Sequence, residues 1–250
     1  MDPDHPAYSA NSINAIENAY VEMDHVLDSF LKHLDSQTTL LVLSDHGFAP
    51  FYRAFHLTSW LKQEGYTSLT DFSEGELLQN VDWQNTRAYC AGFNSLYLNL
   101  KDREKQGTVL PGAQQEQLLR ELTDRLLALR DPKNSLPIVS RVYRTSEVYS
   151  GDHSQEAPDL IIGYNRGYRA SWETALGKFP REIIRDNHEK WSGDHLMESD
   201  QVPGVLLSNL KVKKAHPTLL DLAPTILAQF GITSGGGMTG EDLFSAGSGK

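Results

Sequence analysis

The chain has 250 residues, 39% of them apolar, which is enough for one α/β domain with a sizeable core. Its formal net charge of −10 argues against nucleic acid or an anionic membrane as a general surface partner; bound cations would still reverse that sign locally for a small anion. A single cysteine, Cys90, excludes an intramolecular disulfide, and no run approaches the ~20 apolar residues that span a bilayer.

Apolar residues at three- and four-residue steps (Ile13, Ile16, Tyr20, Met23, Leu27, Phe30) predict an amphipathic helix over 11–34, with Ser9 or Ser12 at its start. Asp24, His25, Asp28 and His33 read as its solvated face. Residues 38–43 form a continuous aliphatic run and predict a buried strand. A short helix is predicted over 56–64, closed by Gly65. Residues 67–83 are polar and irregular and read as a surface insertion. Strands are predicted over 87–92 and 95–100, then a second amphipathic helix over 114–130 ended by Asp131-Pro132. Further strands are predicted over 138–143 and 159–164. Residues 166–191 mix Gly, aromatic and charged side chains without a clean period and read as a long loop beside the active site. A last core strand is predicted over 204–207, followed by a helix capped by Asp221 and stopped at Gly231. Residues 235–250 read as a flexible tail. Alternating strands and helices imply a single α/β domain over 1–250 with a mostly parallel central sheet.

The chemistry concentrates where the 38–43 strand ends, in Leu43-Ser44-Asp45-His46-Gly47-Phe48. Ligands of open α/β sheets bind beyond the carboxyl ends of the strands. Adjacent strand residues point to opposite faces, so Asp45 and His46 grip one ion only where the chain leaves the strand, a turn that Gly47 eases. A carboxylate oxygen with a neutral imidazole nitrogen favours zinc over magnesium. The competing reading is a turn in which Asp45 caps the next segment and His46 packs. Asp152-His153 lies in a polar loop and reads as surface. Cys90 reads as a buried thiol, His56 as a packing or capping residue, and Tyr164, Tyr168, Trp172 and Trp191 as buried aromatics. No Gly-rich phosphate loop, G-x-S-x-G or C-x-x-C occurs, so triphosphate, serine-hydrolase and thiol-redox chemistries lack support.

Several segments carry a family resemblance in their order along the chain. They are Ser44-Asp45-His46-Gly47-Phe48, Gly193-Asp194-His195, Pro203-Gly204-Val205-Leu206-Leu207-Ser208-Asn209 and Asp221-Leu222-Ala223-Pro224-Thr225-Ile226-Leu227. With the opening Met1-Asp2-Pro3-Asp4-His5-Pro6-Ala7-Tyr8 and the 55–61 stretch, they resemble the alkaline phosphatase superfamily, type I phosphodiesterase/nucleotide pyrophosphatase branch, from Met1 to about residue 240. The resemblance implies a three-layer α/β/α sandwich and a site with two divalent metal ions, zinc being usual. By residue match, Asp45 and His46 are ligands of one metal and His195 is a ligand of the other; Asp194, beside His195, is a candidate to orient it or to support the site from outside the ligand set. The family's Thr or Ser nucleophile, its early Asp and its Asp-x-x-x-His pair have no match here; Asp2 and His5 stand three residues apart instead of four.

The resemblance therefore implies a metal-dependent hydrolase of small phosphate esters, in which one ion lowers the pKa of the attacking hydroxyl and the other stabilises oxygens on phosphorus. It also implies that this chain alone is inactive and lacks an amino-terminal half of the domain, which would leave a strand edge exposed. The alternative is a non-catalytic metal- or phosphate-binding fragment, or one half of a split enzyme.

Overall fold

The computed structural model describes residues 3–5, 8–71 and 75–244. From the amino end come helix α1 (Ala15–Leu31), strands β1 (Leu41–Leu43) and β2 (Ala49–Phe55), helix α2 (Leu57–Gln63), and strands β3 (Ala88–Cys90) and β4 (Ser95–Leu98). Helix α3 (Ala113–Leu127), strand β5 (Val139–Arg144), the short helix α4 (Thr145–Val148), and strands β6 (Leu160–Tyr164) and β7 (Gly167–Ala170) follow. The chain closes with the short helix α5 (Trp172–Ala175), strands β8 (Ile184–Asp186), β9 (Gly193–Asp194) and β10 (Leu206–Ser208), and helix α6 (Leu222–Gln229). It divides into two compact units where the sequence suggests one domain: the first holds the residues up to Ile16 and Phe48–Pro203, the second Glu17–Gly47 and the residues from Gly204 onward.

The first unit carries the hydrophobic core and two sheets. One runs β3-β4-β6-β5, antiparallel throughout. Its β3–β4 hairpin turns at Gly92, whose φ of +83° lies in the left-handed region that glycine enters without a Cβ clash. In the other, β2 is flanked by β7 and β8 and also pairs with β9. Among the pairings of the named strands, β2–β7 is parallel and the rest are antiparallel, so the strands do not form the mostly parallel central sheet that their alternation with helices suggests. A tight turn dictates the antiparallel direction only for the β3–β4 hairpin; the other antiparallel pairs join strands distant in sequence, whose direction no local signal sets. Helix α3 packs on β5, and its Leu118, Leu119, Leu122 and Leu126 share one face at i, i+3 and i, i+4 spacing and are buried. Burying each contributes roughly 1.5–3 kcal/mol. Helix α2 buries Leu57, Trp60 and Leu61 and ends before Gly65 at φ +74°.

The segment over 166–191 is more ordered than its composition suggests, containing β7, α5 and β8. Strand β7, Gly-Tyr-Arg-Ala, is buried at all four residues, Arg169 included. A buried arginine breaks the apolar signature by which buried strands are read.

In the second unit β1 pairs antiparallel with β10 as a two-stranded sheet. The 38–43 strand is thus shorter than expected and not buried, since Leu43 is exposed. Helix α1 forms where the periodicity places it, yet none of its residues is buried. What is buried here clusters at α6. Asp221 precedes that helix and accepts hydrogen bonds from the Thr218 N–H (2.7 Å), Lys214 Nζ (2.7 Å) and the Glu241 N–H (2.9 Å). Thr225 Oγ1 donates to the Asp221 carbonyl and accepts from the Leu243 N–H. Leu243 is fully buried, so residues 241–244 are anchored and not part of a loose tail; residues 245–250 lie outside the described part.

Candidate functional site

Asp45 and His46 follow β1 in the second unit. The β1–β10 ladder ends at Leu43–Leu206, and Ser44 continues it by two bonds: its N–H donates to the Val205 carbonyl (3.1 Å), and its Oγ accepts from the Val205 N–H (3.0 Å). Gly204 lies so close that a Cβ there would stand 2.6 Å from the Ser44 carbonyl oxygen. The Pro-Gly-Val segment and the Ser-Asp-His segment are therefore two sides of one structure, which releases the chain from the sheet at Asp45. There Asp45 Oδ1 accepts the His46 N–H (3.0 Å), and the carboxylate is mostly exposed.

His46 Nδ1 lies 2.9 Å from the Gly47 carbonyl. A carbonyl only accepts, so that contact assigns the proton to Nδ1 and directs Nε2 toward Asp45 Oδ2, 3.5 Å away. Ligand atoms about 2.0–2.1 Å from a tetrahedral zinc ion lie about 3.4 Å apart. The Asp45–His46 spacing fits a shared ion.

His195 lies in the first unit, after β9, and its ring is 42% exposed. Residue 194 pairs with Ala49 of β2 and turns the chain. Its carboxylate is spent on structure: Asp194 Oδ1 accepts the N–H groups of His195 (2.7 Å) and Leu196 (3.1 Å), and Oδ2 takes Nη1 of Arg169. His195 Nδ1 stands 3.7 Å from Asp194 Oδ1, and the Phe48 ring meets the imidazole edge-on at 5.6 Å between centroids. Arg169 is fully buried, with its guanidinium 5.1 Å from the Phe51 ring centroid and 5.0 Å from that of Trp172. Its Nε donates to the Ala170 carbonyl (2.7 Å). Burial pushes the guanidinium below its ordinary value and Asp194 pulls it back. Nothing in the sequence singles out Arg169: it stands among aromatic and charged neighbours with no motif around it.

The other candidates sort simply. His153 is exposed and pairs with Glu156 at 3.0 Å, and His188 is exposed. His5 is buried, 3.2 Å from the Asn187 amide and stacked on Tyr52, while Asp2 lies outside the described residues. His56 is buried and donates from Nδ1 to the Glu182 carbonyl. Cys90 is buried, and burial raises its thiol well above the ordinary range, which makes it a poor nucleophile. Tyr164 and Tyr168 are buried as expected, but Trp172 and Trp191 are 61% and 64% exposed. Within either unit, among the described residues, no three His, Cys, Asp or Glu side chains are grouped to hold a metal. Asp45 and His46 belong to one unit, Asp194 and His195 to the other.

The type I phosphodiesterase/nucleotide pyrophosphatase family matches residues 2–189, well over half of the chain. The chain belongs to that family. Its branch of the alkaline phosphatase superfamily is the one that the Ser-Asp-His-Gly-Phe segment resembles. The match includes Asp45 and His46 and ends short of His195, so the assignment of His195 rests on the Gly-Asp-His segment alone. No curated protein matches the chain. Among the described residues, no helix is long and apolar enough to cross a membrane.

Proposed function

We propose that this family member serves in metal-dependent hydrolysis of small phosphate esters, contributing Asp45, His46 and His195 as ligands of a two-zinc site. The nucleophile and the remaining ligands come, on this reading, from further polypeptide that completes the α/β/α sandwich. One observation carries the proposal: within the family match, a carboxylate and an imidazole stand 3.5 Å apart at the point where a strand releases the chain. Bound there, zinc would supply a Lewis acid for oxygens on phosphorus. The protein's own part is to hold the two ligand atoms at that spacing, by the Ser44–Val205 bonds on one side and the His46 Nδ1 bond to Gly47 on the other.

The test is complementation. The chain is produced together with the polypeptide encoded immediately upstream in the same frame, loaded with zinc and assayed on bis(4-nitrophenyl) phosphate. The reading expects chelator-sensitive hydrolysis that His46→Ala reduces by at least about 10²-fold. Turnover unchanged in His46→Ala would remove the site assignment. A non-catalytic reading is favoured instead if the upstream sequence holds no Thr or Ser nucleophile and no Asp-x-x-x-His.

A further inference from the structure

The sheet of the second unit consists of β1 and β10, and among the described residues no other strand lies beside β1. Its ladder alternates. Ser44 donates its N–H to the Val205 carbonyl, so residues 42 and 44 turn their backbone groups toward β10, while Leu41 and Leu43 turn theirs away. Leu40-Leu41-Val42-Leu43 is apolar on both faces, the pattern of a strand covered from both sides, yet none of these residues is buried. The two edges of the sheet are not alike. Strand β10 is preceded by Pro203 and followed by Lys211, Lys213 and Lys214, residue types that blunt an edge against pairing. Residues 37–47, around β1, hold neither Pro nor Lys.

Helix α1 leads into β1, and no strand precedes α1 among the described residues. A helix followed by a strand is the second half of a β-α-β crossover, whose two strands run parallel. We propose that the polypeptide completing the domain docks by laying a strand parallel to β1 along the Leu41–Leu43 edge. Extended backbone is the partner that matches a row of alternating N–H and C=O groups. The added strand runs in the direction of β1, so its carboxyl end stands beside Asp45, and the side chains that follow it reach the Asp45-His46 pair. Charge separates this occupant from a second copy of the chain. The apolar stripe of α1, with Tyr20, Met23 and Phe30 exposed, is bordered at about 100° per residue by Glu17, Asp24 and Asp28. A copy brings the same acidic border and a net charge of −10, whereas a polypeptide with Lys or Arg around its own apolar face is attracted. This docking rests on the reading that further polypeptide completes the domain, but not on zinc.

The experiment mixes the whole chain with the polypeptide encoded immediately upstream in the same frame, in EDTA, and follows backbone amide exchange by NMR. Exchange at Leu41 and Leu43 is expected to slow at least about tenfold, with a smaller change at Val42, whose N–H already faces β10. Leu43→Pro removes an outward N–H and leaves the β1–β10 bonds in place. That variant is expected to keep its circular dichroism spectrum and to lose at least about tenfold in affinity for the upstream polypeptide. Leu43→Ala keeps the N–H and stays within about threefold of wild type. Any of four results overturns the proposal: Leu41 and Leu43 unprotected at saturating polypeptide; Leu43→Pro with a native spectrum binding as tightly as wild type; protection that rises with the chain's own concentration, which assigns the edge to a second copy; or an upstream frame that encodes no polypeptide. Docking in EDTA without zinc-dependent turnover on adding zinc sinks the metal reading alone. Turnover that depends on His46 while the edge stays unprotected sinks the docking alone.

Discussion

Two aspartates that the sequence presents as candidates for chemistry turn out to differ in what occupies them. Asp45 is exposed and faces an imidazole, whereas Asp194 is buried, with one oxygen on two backbone N–H groups and the other on Arg169. Asp194 thus sets the backbone that carries His195, and its ion pair with Arg169 fixes it there. The Asp45-His46 pair was legible because its neighbours form a specific motif. Arg169 was not, because a buried cation is licensed only by partners that are distant in sequence: Asp194, Phe51 and, closer by, Trp172. Asp221 was read as a helix cap and is more than that. Burial pushes its carboxyl up, but Lys214, Glu241 and Thr218 outweigh this and hold it at about 2, against 3.8 for an ordinary aspartate. A carboxyl with a depressed folded pKa contributes stability that is full above its unfolded value and is lost as the pH falls through the folded one. Wild-type stability is therefore expected to drop between about pH 4 and pH 2 partly through this group. Asp221→Asn should cost about 2 kcal/mol at neutral pH in urea unfolding and show a shallower loss in that acid window. Equal stability of the two proteins at pH 7 would show that the network contributes nothing.

At the scale of elements, helices were the easiest to read and their burial the hardest. The leucines of α3 recur on one face and are buried as that pattern implies. The periodicity of α1 is as clear, yet Tyr20, Met23 and Phe30 are 71%, 60% and 58% exposed. Periodicity reports that a face is apolar; whether anything covers it depends on what else the fold supplies. Strands β7 and β8 escaped notice because each is short and carries charge, Arg169 in one and Arg185 and Asp186 in the other. The exposure of α1 has a direct consequence. Replacing Tyr20 and Phe30 together by Ser should change the unfolding free energy of the isolated chain by less than about 1 kcal/mol and lower its tendency to self-associate, as seen by light scattering. A loss of several kcal/mol would show that the face is packed after all.

For the molecule as a whole, family membership was legible from order: Ser-Asp-His-Gly-Phe early, Gly-Asp-His and Pro-Gly-Val-Leu-Leu-Ser-Asn late. The α/β character was legible too, while the direction of strand pairing and the division into two units were not. Both depend on contacts between residues far apart in sequence, such as Leu41 with Ser208 and Ala49 with Asp194. The Pro-Gly-Val motif has a structural explanation beside any functional one, since Gly204 is the only residue type that fits against the Ser44 carbonyl. The proposal to test is that Asp45, His46 and His195 are metal ligands. The most direct test is zinc titration of the chain combined with its completing polypeptide, followed by NMR of the histidine side chains. The account predicts that the His46 and His195 imidazole resonances both shift, saturating together with zinc. Zinc-dependent hydrolysis in which either imidazole stays unmoved would contradict it.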